Sequence, residues 1–112
     1  MEGILSSTKQ LAGMTEDYDV YDNQIIMYIN SVFLVLKQLG IGPATGFYIT
    51  NNTGDWDDFL PDNEFLRETV KAYMGDKVRL KFDPPTSSAH LEALKQNIAE
   101  IEWRLCAEGE TP

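Results

Sequence analysis

With 112 residues the chain is sized for one domain, able to bury roughly 65% of its unfolded surface around one core but not two. Hydrophobic residues at 43% and aromatics at 11% exclude a disordered chain, and no apolar run reaches the ~18 residues that a membrane span requires. The formal charge of −9, from nine basic and eighteen acidic residues, argues against a module that grips duplex DNA by neutralising phosphates; an acidic wall that surrounds DNA without holding it remains compatible, because it repels phosphate.

The first segment, Met1 to Leu11, has neither a basic n-region nor an apolar h-region, so a protein that starts its life in a cytoplasm is expected. Within residues 1–14 a short helix is predicted from Glu2 to Leu11: Ile4, Leu5 and Leu11 share a face, and Gly13 ends it. An acidic stretch of Glu16, Asp17, Asp19 and Asp22 follows, with Asp22 placed to cap the next helix.

Residues 22–39 carry the strongest helical signal. Ile25, Ile29, Val32, Phe33, Leu36 and Leu39 recur at spacings of three and four. Ile26, Met27, Leu34 and Val35 widen the apolar surface past one stripe, which predicts a central helix with neighbours on more than one face. Gly40 stops it, and Gly42-Pro43 keeps it from restarting.

Residues 40–61 show no helical period over 22 positions, long for a connection inside a compact domain. Phe47 to Thr50 favours a strand and Asn51 to Gly54 a turn, with Asp55 to Leu60 as a returning arm. A long loop or a short projecting β-hairpin is therefore expected.

A second long helix is predicted over 62–82, with Phe65, Leu66, Val70, Tyr73, Met74 and Val78 in period and Asp62 or Asn63 as cap. Gly75 inside it costs about 1 kcal/mol relative to alanine and suits a close helix contact. Asp83-Pro84-Pro85 terminates it. The last helix, 87–105, carries Leu91, Leu94, Ile98, Ile101 and Leu105 at a 3-4-3-4 spacing, a narrow seam against one surface. Trp103 lies off that seam, against a second neighbour or in solvent, and 108–112 reads as a polar tail. The fold class predicted is mainly α: a small helical bundle of one short and three longer helices, with the loop or hairpin inserted between the second and third, as a single domain over 1–112.

The search for catalytic chemistry returns little. His90 is the only histidine, with no nucleophile obviously placed beside it, and reads as structural or surface. Cys106 is the only cysteine and reads as an incidental thiol. Without an export signal the glycosylation triplet Asn51-Asn52-Thr53 reads as chance. The motifs of metalloproteases, redox dithiols, phosphate-binding loops and serine hydrolases do not occur. The carboxylates Asp55, Asp57 and Asp58, and separately Asp17, Asp19 and Asp22, lack the order of an EF-hand loop, so a solvated or interface-facing acidic loop is the leading reading and a cation site the lesser one. No cofactor is expected, and the chain reads as a non-enzyme.

Charge is segregated. Residues 55–64 hold five carboxylates and no base, whereas 67–81 hold Arg67, Lys71, Lys77, Arg79 and Lys81 against Glu68 and Asp76. The two regions either meet head to tail between copies, a heterologous contact that closes into a ring when the rotation allows, or are solvated or paired within one chain. Trp56 and Phe59 either fold back onto the body or anchor a partner. Candidate interface residues are thus Phe47, Tyr48, Trp56, Asp57, Asp58 and Phe59 of the loop, and Lys77, Arg79 and Lys81 of the following helix.

The pattern Asp22-Asn23-x-Ile25-Ile26-x-x-Ile29-Asn30 followed by Leu39-Gly40-Ile41-Gly42 resembles the small head–tail connector proteins of tailed phages and prophages. So do Trp56-Asp57-Asp58-Phe59, the run from Val78 to Pro85, and the closing Ile101-Glu102-Trp103-Arg104-Leu105, across about residues 15–107. The resemblance implies a helical bundle with an extended loop, assembled as a homo-oligomeric ring, often of twelve copies, below the portal protein. That ring would meet the next tail-proximal connector, form in the host cytoplasm and end in the neck of the virion, with no catalytic set, no sequence-specific nucleic-acid contact and no membrane. The runner-up is an acidic regulatory protein that mimics DNA or inhibits a host protein; a small metal-dependent enzyme built on Asp55 to Asp58 is third.

Overall fold

The computed structural model describes residues 3–14 and 19–109. They form five helices: α1 (Ile4–Leu11), α2 (Asp22–Gln38), α3 (Trp56–Phe59), α4 (Glu64–Phe82) and α5 (Ser88–Gly109). No strand occurs among the described residues, and the extended pairing present there is an isolated antiparallel bridge between Gly3 and Asp55. Of the two forms expected for 40–61, the segment is a loop. The expected returning arm is the single helical turn α3.

Helix α4 is the hub, packed against α1, α2 and α5. Its inward residues Val70, Tyr73, Met74 and Val78 are fully buried, facing Ile25, Ile29, Val32, Phe33 and Leu36 of α2 in one apolar cluster. Asn63 caps it by accepting from the Leu66 N–H at 3.0 Å. Gly75 does what its place in the pattern suggested: a Cβ there would lie 2.6 Å from Leu11 Cβ, so only glycine lets α1 approach this closely.

Asp22 departs from its expected role. Tyr21 occupies the N-cap of α2 with no capping bond from its side chain, and the Asp22 carboxylate instead accepts from Lys9 Nζ at 2.8 Å. Lys9 is 2% exposed; a buried ammonium needs such a partner, and the pair ties α1 to α2. The neighbouring Glu16 and Asp17 lie outside the described residues.

Between α4 and α5, the buried Tyr73 hydroxyl donates to Glu102 at 2.7 Å. Burial, that bond and the Glu102 charge push the phenol well above its ordinary value. One turn on, Asp76 accepts from Asn97 Nδ2 at 2.6 Å; burial raises its carboxyl in spite of the amide and of Arg79. The seam of α5 matches its spacing, with Ile98 and Leu105 buried and Leu94 and Ile101 packed on the core. The helix runs to Gly109, beyond the predicted end at 105, so part of the expected polar tail is helical, and 110–112 lie outside the described residues.

Periodicity assigned too much to the core in two places. Phe65, counted among the in-period residues of α4, is 86% exposed; nine residues before Met74, it lies half a turn round the helix from it. On α2, Met27 and Leu34 are 70% and 57% exposed, so the broad apolar surface of that helix is only partly covered by its own chain. Trp103 takes the solvent alternative at 72% exposure.

A candidate assembly surface on the second helix and the loop

The loop is fastened to the body by three devices. The first is an amide clamp: Asn30 Nδ2 donates to the Ile49 carbonyl and the Ile49 N–H donates to Asn30 Oδ1, both at 2.8 Å. One side chain thereby satisfies both backbone groups of a residue that is 5% exposed, as a neighbouring strand would. The second is aromatic. Phe33 of α2 meets Phe47, Phe59 and Trp56 at centroid distances of 5.1, 4.8 and 6.1 Å. Gly42, at φ +93°, leaves the space for this cluster, since a Cβ would sit 2.4 Å from the Phe59 ring. The third reaches α1: the Trp56 indole N–H donates to Ser7 Oγ at 2.6 Å.

Trp56 and Phe59, each 2% exposed, therefore take the fold-back alternative, and Phe47 packs half-buried beside them. The acidic residues are also employed within the chain. Asp55 and Asp58 form a capping box on α3, the Asp55 N–H donating to Asp58 Oδ2 at 3.1 Å. Asp57 lies 3.4 Å from Arg67 Nε, and Arg67 also donates to the carbonyls of Leu60 and Pro61. Among the described residues no three histidine, cysteine or acidic side chains converge as metal ligands would.

Of the nine candidate interface residues, Tyr48 is the large apolar one left open, at 72% exposure. It borders a shallow groove of about 400 Å³ between the loop and α2, lined by Asn30, Leu34, Lys37, Gly46 and Phe47 among others. Met27 and Leu34 are seven residues apart on the outer face of α2, so they continue that groove as one stripe. Lys37 at the groove is exposed. Side chains that the pattern placed inside thus form an open apolar strip with Tyr48. Their excess over one helical stripe was the signal for it.

The basic candidates lie elsewhere. Lys77 sits over the Tyr73 ring, 5.8 Å from its centroid, while Arg79 and Lys81 are exposed at the end of α4. Arg67, which holds Asp57, and Arg79 are twelve residues apart on one helix, about 18 Å. Within one chain the acidic loop thus meets the start of the basic helix, through Asp57 and Arg67, while no ion pair joins it to Lys77, Arg79 or Lys81 among the described residues.

No described helix is long and apolar enough to cross a membrane. A family model described as phage connector protein matches residues 4–112. No curated protein and no solved structure matches the chain.

Proposed function

This chain belongs to the phage connector protein family, and we propose that it acts as a non-enzymatic structural adaptor, assembling as a ring between the portal and the tail during virion assembly. The observation that carries this reading is the family match across nearly the whole chain, from residue 4 to 112. The open strip of Met27, Leu34 and Tyr48 supports it, because large apolar groups left in solvent along one helix face suit a protein contact. Its partners would be further copies of the chain, the portal protein and the next tail-proximal connector. Synthesis would occur in the host cytoplasm and the final place would be the neck. The net charge of −9 suits the wall of a passage through which DNA slides without being held.

The test is to mix the purified chain with rings of its portal protein and examine sedimentation and electron micrographs. An added ring of density on the portal is expected, and it should be lost in a Leu34→Ser, Tyr48→Ala double variant whose circular dichroism is unchanged. No association at high protein concentration would sink the adaptor reading, and capture of a DNA-binding host enzyme instead would favour the acidic regulator.

A further inference from the structure

Phe65, Ala72 and Arg79 recur every seven residues along α4 and so lie on one stripe of that helix. All three are exposed, and this stripe points away from the buried Val70, Met74 and Val78. At the start of the stripe stands Phe65, the most exposed large apolar side chain among the described residues at 86%. At its far end, fourteen residues or about 21 Å away, a groove of about 460 Å³ opens between the end of α4 and the start of α5. Its lining is apolar at Pro85, Ala93 and Leu94 and polar at Arg79, His90 and Asn97.

The two ends also differ in charge. Beside Phe65 lie Asp62, Glu64 and Glu68, and Glu108 and Arg104 of α5 share a surface recess with it, Arg104 being paired with Glu100 at 2.9 Å. Of these carboxylates, Glu68 is paired, with Lys71 at 2.9 Å. No carboxylate lines the groove itself, but Asp76 stands behind it, accepting from Asn97 Nδ2 at 2.6 Å and feeling the Arg79 charge; Arg79 makes no direct ion pair among the described residues.

We propose that this outer face of α4 and α5 binds a second copy of the same chain about a two-fold axis, each Phe65 seated in the groove of the other copy. Two such faces laid together with their α4 helices antiparallel bring each apolar knob over a groove, and each acidic end over an Arg79, in both halves at once. The small Ala72, midway between knob and groove, falls near the axis and lets the helices approach. A parallel arrangement would instead set Phe65 against Phe65 and acid against acid. A face with unlike ends, knob at one and groove at the other, is self-complementary, which is the condition for an isologous contact. Such a contact closes at two copies and cannot propagate a ring. It is therefore a pairing of free subunits through a surface separate from the α2 strip, and it does not depend on the adaptor reading.

A disulfide trap tests the geometry. Glu64→Cys and Ala93→Cys, both at exposed positions and leaving Phe65 in place, are combined in a Cys106→Ser background and oxidised mildly. The expected product is a covalent dimer with no larger species, while Glu64→Cys alone, with its two thiols far from the axis, stays monomeric. A ladder of trimers and beyond would overturn the two-fold arrangement in favour of a head-to-tail one, and monomer alone would overturn the contact. In sedimentation equilibrium the unaltered chain should form dimers. Phe65→Ser should abolish them, and Arg79→Glu should raise the dissociation constant at least tenfold, more strongly at low salt. Native circular dichroism in both variants separates loss of contact from loss of fold.

Discussion

Replacing Trp56 by alanine separates a core role from an assembly role. The indole is 2% exposed and packs within 6.1 Å of the Phe33 centroid and 6.5 Å of the Phe59 centroid. Truncating a buried tryptophan removes its transfer free energy and leaves a cavity, together about 3–5 kcal/mol. The lost bond to Ser7 adds about 1 kcal/mol at most, because the Ser7 hydroxyl still donates to the Gly3 carbonyl at 2.8 Å. Domains of this kind hold about 5–15 kcal/mol in all, so the change removes a large fraction. At about 4 °C per kcal/mol for this chain length, the melting temperature should fall by roughly 12–20 °C. Differential scanning calorimetry gives the number directly. Tyr48→Ala, at a side chain 72% exposed, is the matched control and should melt within about 2 °C of the parent, a surface change being worth about 0.5 kcal/mol or less. If Trp56→Ala melted within a few degrees of the parent while losing the portal complex, the indole would be an anchor for a partner and the packing argument would fail.

Asn30→Ala should release the loop from α2. Two hydrogen bonds to a buried backbone are lost, worth together about 2–3 kcal/mol, and hydrogen exchange at the Ile49 amide should accelerate far more than at α4 amides. Equal acceleration everywhere would mean that the clamp has no local role. Tyr73 should shape the alkaline limb of stability. Its folded pKa is raised, so both states keep the proton below about 10 and the stabilisation is fully present there. Above that the unfolded chain ionises first, and stability falls by up to about 1.4 kcal/mol per pH unit until the folded pKa is passed. Tyr73→Phe should flatten that part of the decline in urea midpoints between about pH 9 and 11; an unchanged slope would show that other groups set it.

The helices were legible because each carries its core residues at helical spacing, and because Gly40, Asp83-Pro84-Pro85 and Asn63 mark their ends in chemistry that acts locally. Gly75 was legible too: a glycine in mid-helix is unfavourable unless something needs the space, and Leu11 does. What periodicity could not tell is which molecule covers an apolar face. Phe65, Met27 and Leu34 lie off the buried stripes of their helices and stand in solvent, since an apolar side chain records that a surface is apolar and not whether its own chain reaches it. The loop was harder still. The contacts that shape it join Asn30 to Ile49 and Ser7 to Trp56, pairs far apart along the chain whose meeting no local pattern announces. Its acidic residues did carry a readable signal: Asp55 and Asp58 stand three apart ahead of a short apolar turn, the spacing of a capping box. Asp57 gave no such hint, because its partner Arg67 lies beyond Pro61 in the next helix.

The packing of α1 has a consequence for how the chain is made. This helix of eight residues is too short to persist alone in water, and the surface it needs belongs chiefly to α4, with a further attachment to Trp56. During synthesis it therefore waits for some seventy residues to follow, about 4–14 s at the usual pace of about 5–20 residues per second. For that interval Ile4 and Leu5, both buried in the finished protein, are exposed to whatever else the nascent chain meets. Helix α1 is thus made well before α4 yet finds its place only after it, and a pause in translation before residue 82 would lengthen its exposure without altering the fold.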